Sequence, residues 1–244
     1  MQHETVIVLD FGGQYNQLVA RRVRECHVYC EIYSYRTPIE QIKAMNPKGI
    51  ILTGGPNSVY EEKSPKCDPA LFELGVPVLG ICYGCQLMAH TLGGEVTAAQ
   101  EDTAREYGKT ETFYNTDCKL FKGLPEQGIS WMSHGDYMAK VPESFRLVAH
   151  SDACPTVGIC DEARGFYGVQ FHPESILTQA GKQILINFLN TIPGVSIPDV
   201  MQEPPAPKKA LCPYSNRLIE FQNLTQQEAA EAMDIIMSGQ ATEA

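Results

Sequence analysis

Residues 80–86, Gly-Ile-Cys-Tyr-Gly-Cys-Gln, constrain the fold of this chain more than any other stretch. They follow an apolar run at 76–79 and precede a helical pattern at 87–92. A strand, a tight turn flanked by glycines and a helix make a nucleophile elbow, which holds a reactive side chain at the carboxyl end of a strand. Cys82 occupies the nucleophile position of this predicted elbow. A thiol at a helix N-terminus also feels the positive end of the helix dipole, which favours the more nucleophilic thiolate.

The other apolar runs predict an α/β fold around this elbow. Continuous β-branched and aliphatic segments, typical of buried parallel strands, lie at 5–9, 27–35 and 48–53. Helical spacing between them predicts a mostly parallel open sheet with helices on both faces. Short alternating segments between 94 and 164 predict a small antiparallel sheet in addition. Ligands of such folds bind beyond the carboxyl ends of the strands, where the loops at Gly12, Gly54 and Cys82 should meet.

Charge and hydropathy exclude several classes of partner. With 29 acidic and 19 basic residues the net charge is −10, so the chain lacks the basic surface that nucleic-acid binding requires. No apolar run is long enough for a membrane helix and the N-terminus has no secretory pattern, so we expect a cytoplasmic protein that does not bind membranes. The nine cysteines, an odd number without regular spacing, predict free thiols rather than a disulfide framework.

A thiol nucleophile needs a base, and His172 is the best candidate in the chain. It follows the apolar run at 165–171 and should therefore lie at the same edge of the sheet as Cys82. Glu174 is two residues further along, and Pro173 keeps the backbone between them extended. The carboxylate of Glu174 is thus placed to orient the imidazole.

Acyl transfer also requires an oxyanion hole, which is built from backbone N–H groups that point at the developing negative charge. The turn at Gly54 and Gly55 follows a predicted strand and offers such donors. The N–H of Tyr83, directly after the predicted nucleophile, offers another. Together these features predict acyl transfer through a thioester.

Three segments resemble the signatures of class I, triad-type, glutamine amidotransferases. They lie at 54–56, 80–86 and 168–174, in the order found in that family. The resemblance covers about residues 5–190 and implies a flavodoxin-like amidotransferase fold. It also implies that a cysteine attacks the side-chain amide of L-glutamine, releases ammonia and leaves a glutamyl thioester that water hydrolyses. In the family pattern Cys82 is the nucleophile, His172 the general base and acid, Glu174 the orienting carboxylate, and Gly55 and Tyr83 the oxyanion donors.

Further segments resemble the amidotransferase domains of GMP synthetases in particular. They lie at 9–15, 20–25, 105–108 and 131–136. By this resemblance the bound glutamine contacts four residues, Gly54, Gln86, Ser133 and His134. The implied partner is a synthetase of the ATP-pyrophosphatase type, which uses the ammonia to make GMP from XMP. ATP and magnesium are expected only in that partner, so neither a cofactor nor a metal is expected in this chain.

The C-terminal part resembles proteins of tryptophan synthesis instead. Residues 175–182 are similar to anthranilate synthase amidotransferases, and 224–244 to the opening helix of anthranilate phosphoribosyltransferase. The large subunit of anthranilate synthase is therefore the alternative partner. The predicted organisation is an amidotransferase domain at 1–190, a proline-rich linker at 191–222 and an amphipathic helical segment at 223–244 that would open a further domain.

Other functions stay open on the sequence alone. Cys82 and Cys85 form a C-x-x-C pair, which also occurs at redox and zinc sites, although no second ligand pair accompanies it. The same fold and the Cys-His pair also serve peptidases and γ-glutamyl hydrolases, and an inactive member could act as a regulatory protein. Release of glutamate that depends on Cys82 would separate an amidotransferase from these alternatives.

Overall fold

The computed structural model describes residues 5–99, 105–195 and 197, all within the compact unit Met1–Gln202. These residues form four α-helices and eleven strands. The helices are α1 (Asn16–Glu25), α2 (Ile39–Ala44), α3 (Tyr83–Thr91) and α4 (Gly181–Leu189). The strands are β1 (Val6–Asp10), β2 (Cys30–Ser34), β3 (Gly49–Leu52), β4 (Val78–Ile81), β5 (Glu95–Ala98), β6 (Glu106–Tyr114), β7 (Gln127–His134), β8 (Asp136–Lys140), β9 (Arg146–His150), β10 (Gly158–Asp161) and β11 (Phe166–Val169). Among these helices, none combines the length and the hydropathy of a membrane-spanning segment.

Nine of these strands form one sheet in the order β2-β1-β3-β4-β11-β10-β9-β6-β7. The five strands from β2 to β11 are parallel to one another. Antiparallel pairing begins between β11 and β10 and continues to β7, while β5 and β8 form a separate antiparallel pair. The predicted α/β fold class is confirmed. Most of the predicted antiparallel segments extend the main sheet, because β10 covers the free edge that β11 would otherwise expose.

The sheet buries a hydrophobic core on each face, because alternate residues of a strand point in opposite directions. In β1, Val6 and Val8 belong to the core that includes residues of α1 and α4. Ile7 and Leu9 belong to the second core, with residues of α2 and α3. All four side chains are fully buried. Burial on both faces explains why this strand is a continuous apolar run in the sequence.

The middle of the sheet brings the predicted site loops together. β4 lies between β3 and β11. Ile81 pairs with Val169, so the next residues, Cys82 and Gln170, leave the sheet side by side. β3 ends at Leu52, directly before the glycine turn. The parallel topology therefore places the elbow between two loops that belong to distant parts of the chain.

The predicted linker beyond residue 197 and the predicted helical segment at 223–244 lie outside the described residues. Three of the residues that are described after 190, Ile192, Val195 and Ile197, lie in the main core or pack against it. Ile192 is 2% exposed and Ile197 is 4% exposed, and both lie in the cluster on the α1 and α4 side. A Cβ on Gly49 would lie 2.4 Å from Cδ1 of Ile192, which shows how tightly this residue packs on β3.

Candidate active site

The elbow between β4 and α3 holds Cys82 in a strained backbone conformation. Its φ of 50° and ψ of −110° belong to the mirror image of the extended region, which glycine adopts freely and other residues seldom do. Strain of this kind costs about 1–3 kcal/mol and clusters at functional sites. Cys82 is the N-cap residue of α3 and is 7% exposed, so its thiol lies at the positive end of that helix.

The two glycines of the elbow make room for this turn, whereas the strain itself falls on the cysteine. Neither Gly80 nor Gly84 has a positive φ. A Cβ on Gly80 would lie 2.7 Å from the backbone nitrogen of Cys85, and one on Gly84 would lie 2.3 Å from the carbonyl oxygen of Leu52. Both distances are too short for real Cβ atoms, so only glycine lets α3 begin so close to β3 and β4.

His172 and Glu174 follow β11 and form the second part of the site. Nδ1 of His172 lies 2.7 Å from Oε1 of Glu174, and both side chains are buried. Because an ionised carboxylate only accepts, Nδ1 carries a proton and Nε2 is left to face Cys82. The backbone around the imidazole is fixed on both sides. The N–H of His172 donates to the Trp131 carbonyl at 3.0 Å, and its carbonyl accepts from Oγ1 of Thr178 at 2.7 Å.

Two opposing effects set the protonation of His172. Burial lowers its pKa, but hydrogen bonds with Cys82 and Glu174 and the negative charges of both partners outweigh burial. The pKa of His172 therefore rises from the usual 6.5 to about 10. The imidazolium is consequently favoured at neutral pH when the thiol is ionised. A thiolate paired with an imidazolium is the reactive form of a cysteine nucleophile.

Helix α1 supports Glu174 and His172 through Arg22 in its last turn and through its N-cap residue, Tyr15. Nε of Arg22 donates to the backbone carbonyl of Glu174 at 3.1 Å. The ring of Tyr15, the N-cap residue of α1, packs edge-on against His172 with centroids 5.5 Å apart. Oε2 of Glu174 is buried without a hydrogen-bond partner among the described residues, so the carboxylate is held through the contact of Oε1 with Nδ1 of His172. These contacts hold the His-Glu pair in one orientation.

Gly54 and Gly55 bring the backbone after β3 close to the thiol. A Cβ on Gly54 would lie 3.3 Å from Cε1 of His172 and 3.8 Å from Cβ of Cys82. Within the described residues, the N–H groups of Gly55 and Tyr83 have no protein acceptor. Unpaired backbone donors beside a nucleophile are what an oxyanion hole requires.

A cavity of about 530 Å³ opens over Cys82, His172 and Glu174. Its walls are the loop after β1, the glycine turn after β3, the elbow and the turn between β7 and β8. All four residues that the family resemblance assigns to glutamine line this cavity: Gly54, Gln86, Ser133 and His134. Cavities of this size hold small-molecule ligands.

Ser133, at the end of β7, and Gln86, in α3, make different contacts beside the cavity. The carbonyl oxygen of Ser133 lies 3.7 Å from the Cys82 sulfur. The amide nitrogen of Gln86 donates to the Asp136 carbonyl and to Oε1 of Gln170, both at 3.0 Å. Gln86 is thus engaged with protein groups through its nitrogen while it lines the cavity.

The imidazole of His134 is engaged on both sides. Nδ1 lies 3.0 Å from the Asp136 carbonyl, and Nε2 lies 3.2 Å from Oε2 of Glu106. His134 and Glu106 are directly opposite each other in the β6–β7 pair and are both buried. The ring nitrogens therefore tie the end of β7 to the start of β8 and to β6.

Three residues near Cys82, His172 and Glu174 are absent from the sequence-based site. Gln170 is fully buried, and its Nε2 lies 3.6 Å from the Cys82 sulfur. The sequence pattern could have placed Gln170 at the site, because it precedes His172 by two residues and side chains two apart in an extended segment point to the same side. Arg22 and Tyr15 had no local signal. The contact between Arg22 and Glu174 joins residues 152 positions apart.

Cys85 is a core residue in this structure. It is fully buried, its sulfur lies 3.7 Å from the Met138 sulfur, and burial raises the pKa of its thiol. Two other groups in the described part of the chain have ligand atoms within 4.8 Å of one another: Glu106, His134 and Cys154, and Cys118, Cys160 and Glu162. Neither group includes a cysteine of the C-x-x-C pair. The pair therefore does not have the surroundings of a redox or zinc site.

Sequence comparison finds glutamine-hydrolysing GMP synthases among the relatives of this chain. The glutamine-hydrolysing GMP synthase of Lachnospira eligens is 58% identical over 194 residues, which make up 80% of this chain and 36% of that protein. The corresponding protein of Caldicellulosiruptor saccharolyticus is also 58% identical, over 80% of this chain and 37% of that protein. The chain thus spans little more than a third of the length of these relatives.

Solved structures and the family model complete the comparison. A candidate GMP synthase subunit from Thermoplasma acidophilum superimposes with a TM-score of 0.70 at 30% identity, covering 78% of this chain and 94% of that one. A glutamine amidotransferase from Thermotoga maritima, at 23% identity and a TM-score of 0.57, shares the fold. The model of class-I glutamine amidotransferases matches residues 7–192. This chain belongs to the class-I glutamine amidotransferase family.

Proposed function

We propose that this chain is the glutamine-hydrolysing part of a GMP synthase. Cys82 attacks the side-chain amide of L-glutamine, ammonia leaves, and water hydrolyses the resulting thioester to glutamate. The ammonia passes to a synthetase that converts XMP to GMP. One observation carries the proposal: Cys82, His172 and Glu174 follow two adjacent parallel strands and line a single cavity.

The Cys-His-Glu group supplies the proton transfers that this reaction needs. The thiolate attacks the amide carbon, and the imidazolium of His172 gives its proton to the departing nitrogen. The neutral imidazole then takes a proton from the water that attacks the thioester. Glu174 holds the proton on Nδ1, so Nε2 is the nitrogen that exchanges protons with the substrate. No cofactor enters these steps.

The cavity wall supplies charge stabilisation and binding. The N–H groups of Gly55 and Tyr83 receive the oxyanion, where one such donor is typically worth a factor of about 10²–10³ in rate. Gly54, Gln86 and Ser133 contact the bound glutamine. His134 contributes through the turn that it supports, because its ring is bonded to protein groups on both sides.

The choice of GMP synthesis rests on the relatives. The chain spans little more than a third of the Lachnospira protein, whereas it covers 94% of the Thermoplasma protein, which is described as one subunit. The synthetase is thus a further domain or a second chain of the ATP-pyrophosphatase type. ATP and magnesium act in that partner. In the sequence, residues 175–182 resemble anthranilate synthase amidotransferases. The large subunit of anthranilate synthase is therefore the alternative partner, to be tested beside the ATP-pyrophosphatase synthetase.

Substitution of the Cys-His-Glu group tests glutamine hydrolysis. Cys82→Ala should lower glutamate release by roughly 10⁴-fold or more, because the thioester cannot form. His172→Ala should be nearly as damaging, and Glu174→Ala less so, because an orienting group is easier to replace with water. The assay is glutamate release by the purified chain. Cys118→Ala, which removes a buried thiol outside the cavity, is the control, and turnover by a folded Cys82→Ala protein would contradict the mechanism.

The partner is tested by stimulation. Glutamate release should rise when an ATP-pyrophosphatase synthetase, XMP, ATP and magnesium are added together, and GMP should form. The same assay is run with the anthranilate synthase large subunit plus chorismate. Stimulation by the anthranilate partner and not by the synthetase would overturn the assignment to GMP synthesis. Hydrolysis of γ-glutamyl peptides in preference to glutamine would assign the site to a hydrolase instead.

A further inference from the structure

Behind the nucleophile lies a buried amide that the mechanism above does not use. Gln170 follows β11, is fully buried and does not line the cavity. Its Nε2 lies 3.6 Å from the sulfur of Cys82, within hydrogen-bonding distance for a sulfur acceptor. A ligand in the cavity therefore does not reach Gln170. Any chemical effect of Gln170 must act through the thiol of Cys82.

The orientation of this amide is determined by its neighbours. A glutamine side chain presents either an oxygen or an NH₂ group to a given side. The Asp136 carbonyl can only accept, so Gln86 must turn its nitrogen toward it, at 3.0 Å. The second N–H of that nitrogen then donates to Oε1 of Gln170, also at 3.0 Å. With its oxygen engaged, Gln170 must present its NH₂ group to Cys82.

The Asp136 carbonyl is itself held in place by a buried chain of hydrogen bonds. Nδ1 of His134 donates to it at 3.0 Å, and Nε2 of the same ring contacts Oε2 of Glu106 at 3.2 Å. Oε1 of Glu106 accepts from the hydroxyl of Ser151 at 2.6 Å. The network therefore runs without a break from Ser151 to the sulfur of the nucleophile. Fully satisfied buried networks of this kind fix a single arrangement of donors.

We propose that Gln170 is a catalytic residue that donates an N–H to the Cys82 thiolate, and that Gln86 is a positioning residue that keeps the Gln170 amide in the donating orientation. This inference deepens the glutamine hydrolysis proposed above and rests on it. A hydrogen bond to a charged acceptor is stronger than one to a neutral acceptor. The donor therefore favours the thiolate over the thiol before glutamine arrives.

Of the other groups that face the Cys82 sulfur, some favour the thiolate and some favour the thiol. The imidazolium of His172 favours the thiolate, and the charge of Glu174 is compensated by that imidazolium at 2.7 Å. The Ser133 carbonyl at 3.7 Å favours the thiol, which donates to it. Cys85 is neutral, because burial raises the pKa of its thiol. Gln170 is thus the uncharged donor that offsets the Ser133 carbonyl.

The experiment measures how fast iodoacetamide alkylates Cys82 across a pH series, in the full chain without glutamine. Tandem mass spectrometry that localises the label within the peptide separates Cys82 from Cys85, which lies on the same peptide, and from the other cysteines. Gln170→Met removes the donor at nearly constant length, and we expect alkylation at neutral pH to slow roughly tenfold, with the pH profile displaced upward. Gln170→Glu places an acceptor at the same position and should displace the profile further. Gln86→Leu should displace it in the same direction by less, because Gln170 is then free to turn.

The same alkylation assay is applied to a control variant. Gln127→Met replaces an exposed glutamine of β7 and should leave the profile unchanged. Unchanged profiles in folded Gln170→Met and Gln170→Glu proteins would overturn the role of Gln170. If neither folds, an unchanged profile in Gln86→Leu would overturn the inference. A Gln86→Leu protein with a raised KM for glutamine and the wild-type alkylation profile would make Gln86 a substrate contact only.

This readout is independent of the proposed function. Alkylation needs no glutamine, so a chain that fails to release glutamate still reports whether Gln170 acts on Cys82. If the wild-type chain releases no glutamate but the alkylation profiles change as expected, the proposed function is overturned. The contact between Gln170 and Cys82 is then still established.

Discussion

At the scale of single residues, Glu174 acts together with Cys82 to extend the pH range over which His172 stays protonated. The carboxylate contributes to raising the pKa of His172 to about 10. Glu174→Gln removes the charge but keeps the shape, so the pKa of His172 should fall by about one unit or more. The alkaline limb of the kcat/KM profile for glutamine should move to lower pH by the same amount. Glu162→Gln, at a partly buried carboxylate remote from the cavity, is the control; an unmoved limb in Glu174→Gln would separate the carboxylate from catalysis.

The same shift links His172 to stability. Its pKa is raised from 6.5 to about 10 on folding, so protonation favours the folded state. This contribution is fully present below pH 6.5 and is lost as pH rises toward 10. Wild type should therefore exceed His172→Gln in free energy of unfolding most strongly at mildly acidic pH, and the gap should narrow at alkaline pH. Urea unfolding across a pH series measures this gap, and a constant gap would contradict the raised pKa.

At the scale of elements, the strained turn that begins α3 has a measurable cost. Cys82→Gly and Cys82→Ala both remove the thiol, but only glycine adopts the mirror-image backbone region without strain. The glycine variant should be more stable than the alanine variant by roughly 1 kcal/mol, after the greater entropy of its unfolded chain is subtracted. At Cys67, which has no positive φ, the order of the same two variants should reverse. Urea unfolding compares the four proteins, and an alanine variant that is more stable than the glycine variant at both positions would show that the elbow stores no strain.

The fold class, the elbow and the cavity walls were accessible to sequence analysis because their signals are local. Buried parallel strands are continuous apolar runs, and the residues placed around the cavity lie in short segments at strand ends. Two kinds of feature were not accessible. Contacts such as the one between Arg22 and Glu174 join distant positions and depend on how α1 packs. The extension of the main sheet by β10, β9, β6 and β7 depends on which strand edges remain free once the parallel part has formed.

At the scale of the whole molecule, the core extends past the domain boundary predicted at residue 190. Ile192 is 2% exposed and packs against β3, whereas Ile176 is 67% exposed. Ile192→Ala should cost about 2–4 kcal/mol in the free energy of unfolding, because it leaves a cavity in a closed core. Ile176→Ala is the matched control and should change it by less than about 0.5 kcal/mol. Similar effects at both positions would place Ile192 outside the folded unit.

The pairing of β4 with β11 also determines when the site can form during folding. Cys82 and Gln170 are 88 positions apart, and every strand from β5 to β10 lies between them in the chain. Bringing such distant segments together costs loop-closure entropy before their contacts repay it, which slows folding. Cys82 therefore meets Gln170 and His172 only after most of the sheet has assembled. Recovery of Cys82 reactivity during refolding should lag behind recovery of secondary structure, which makes the active site a late reporter of complete folding.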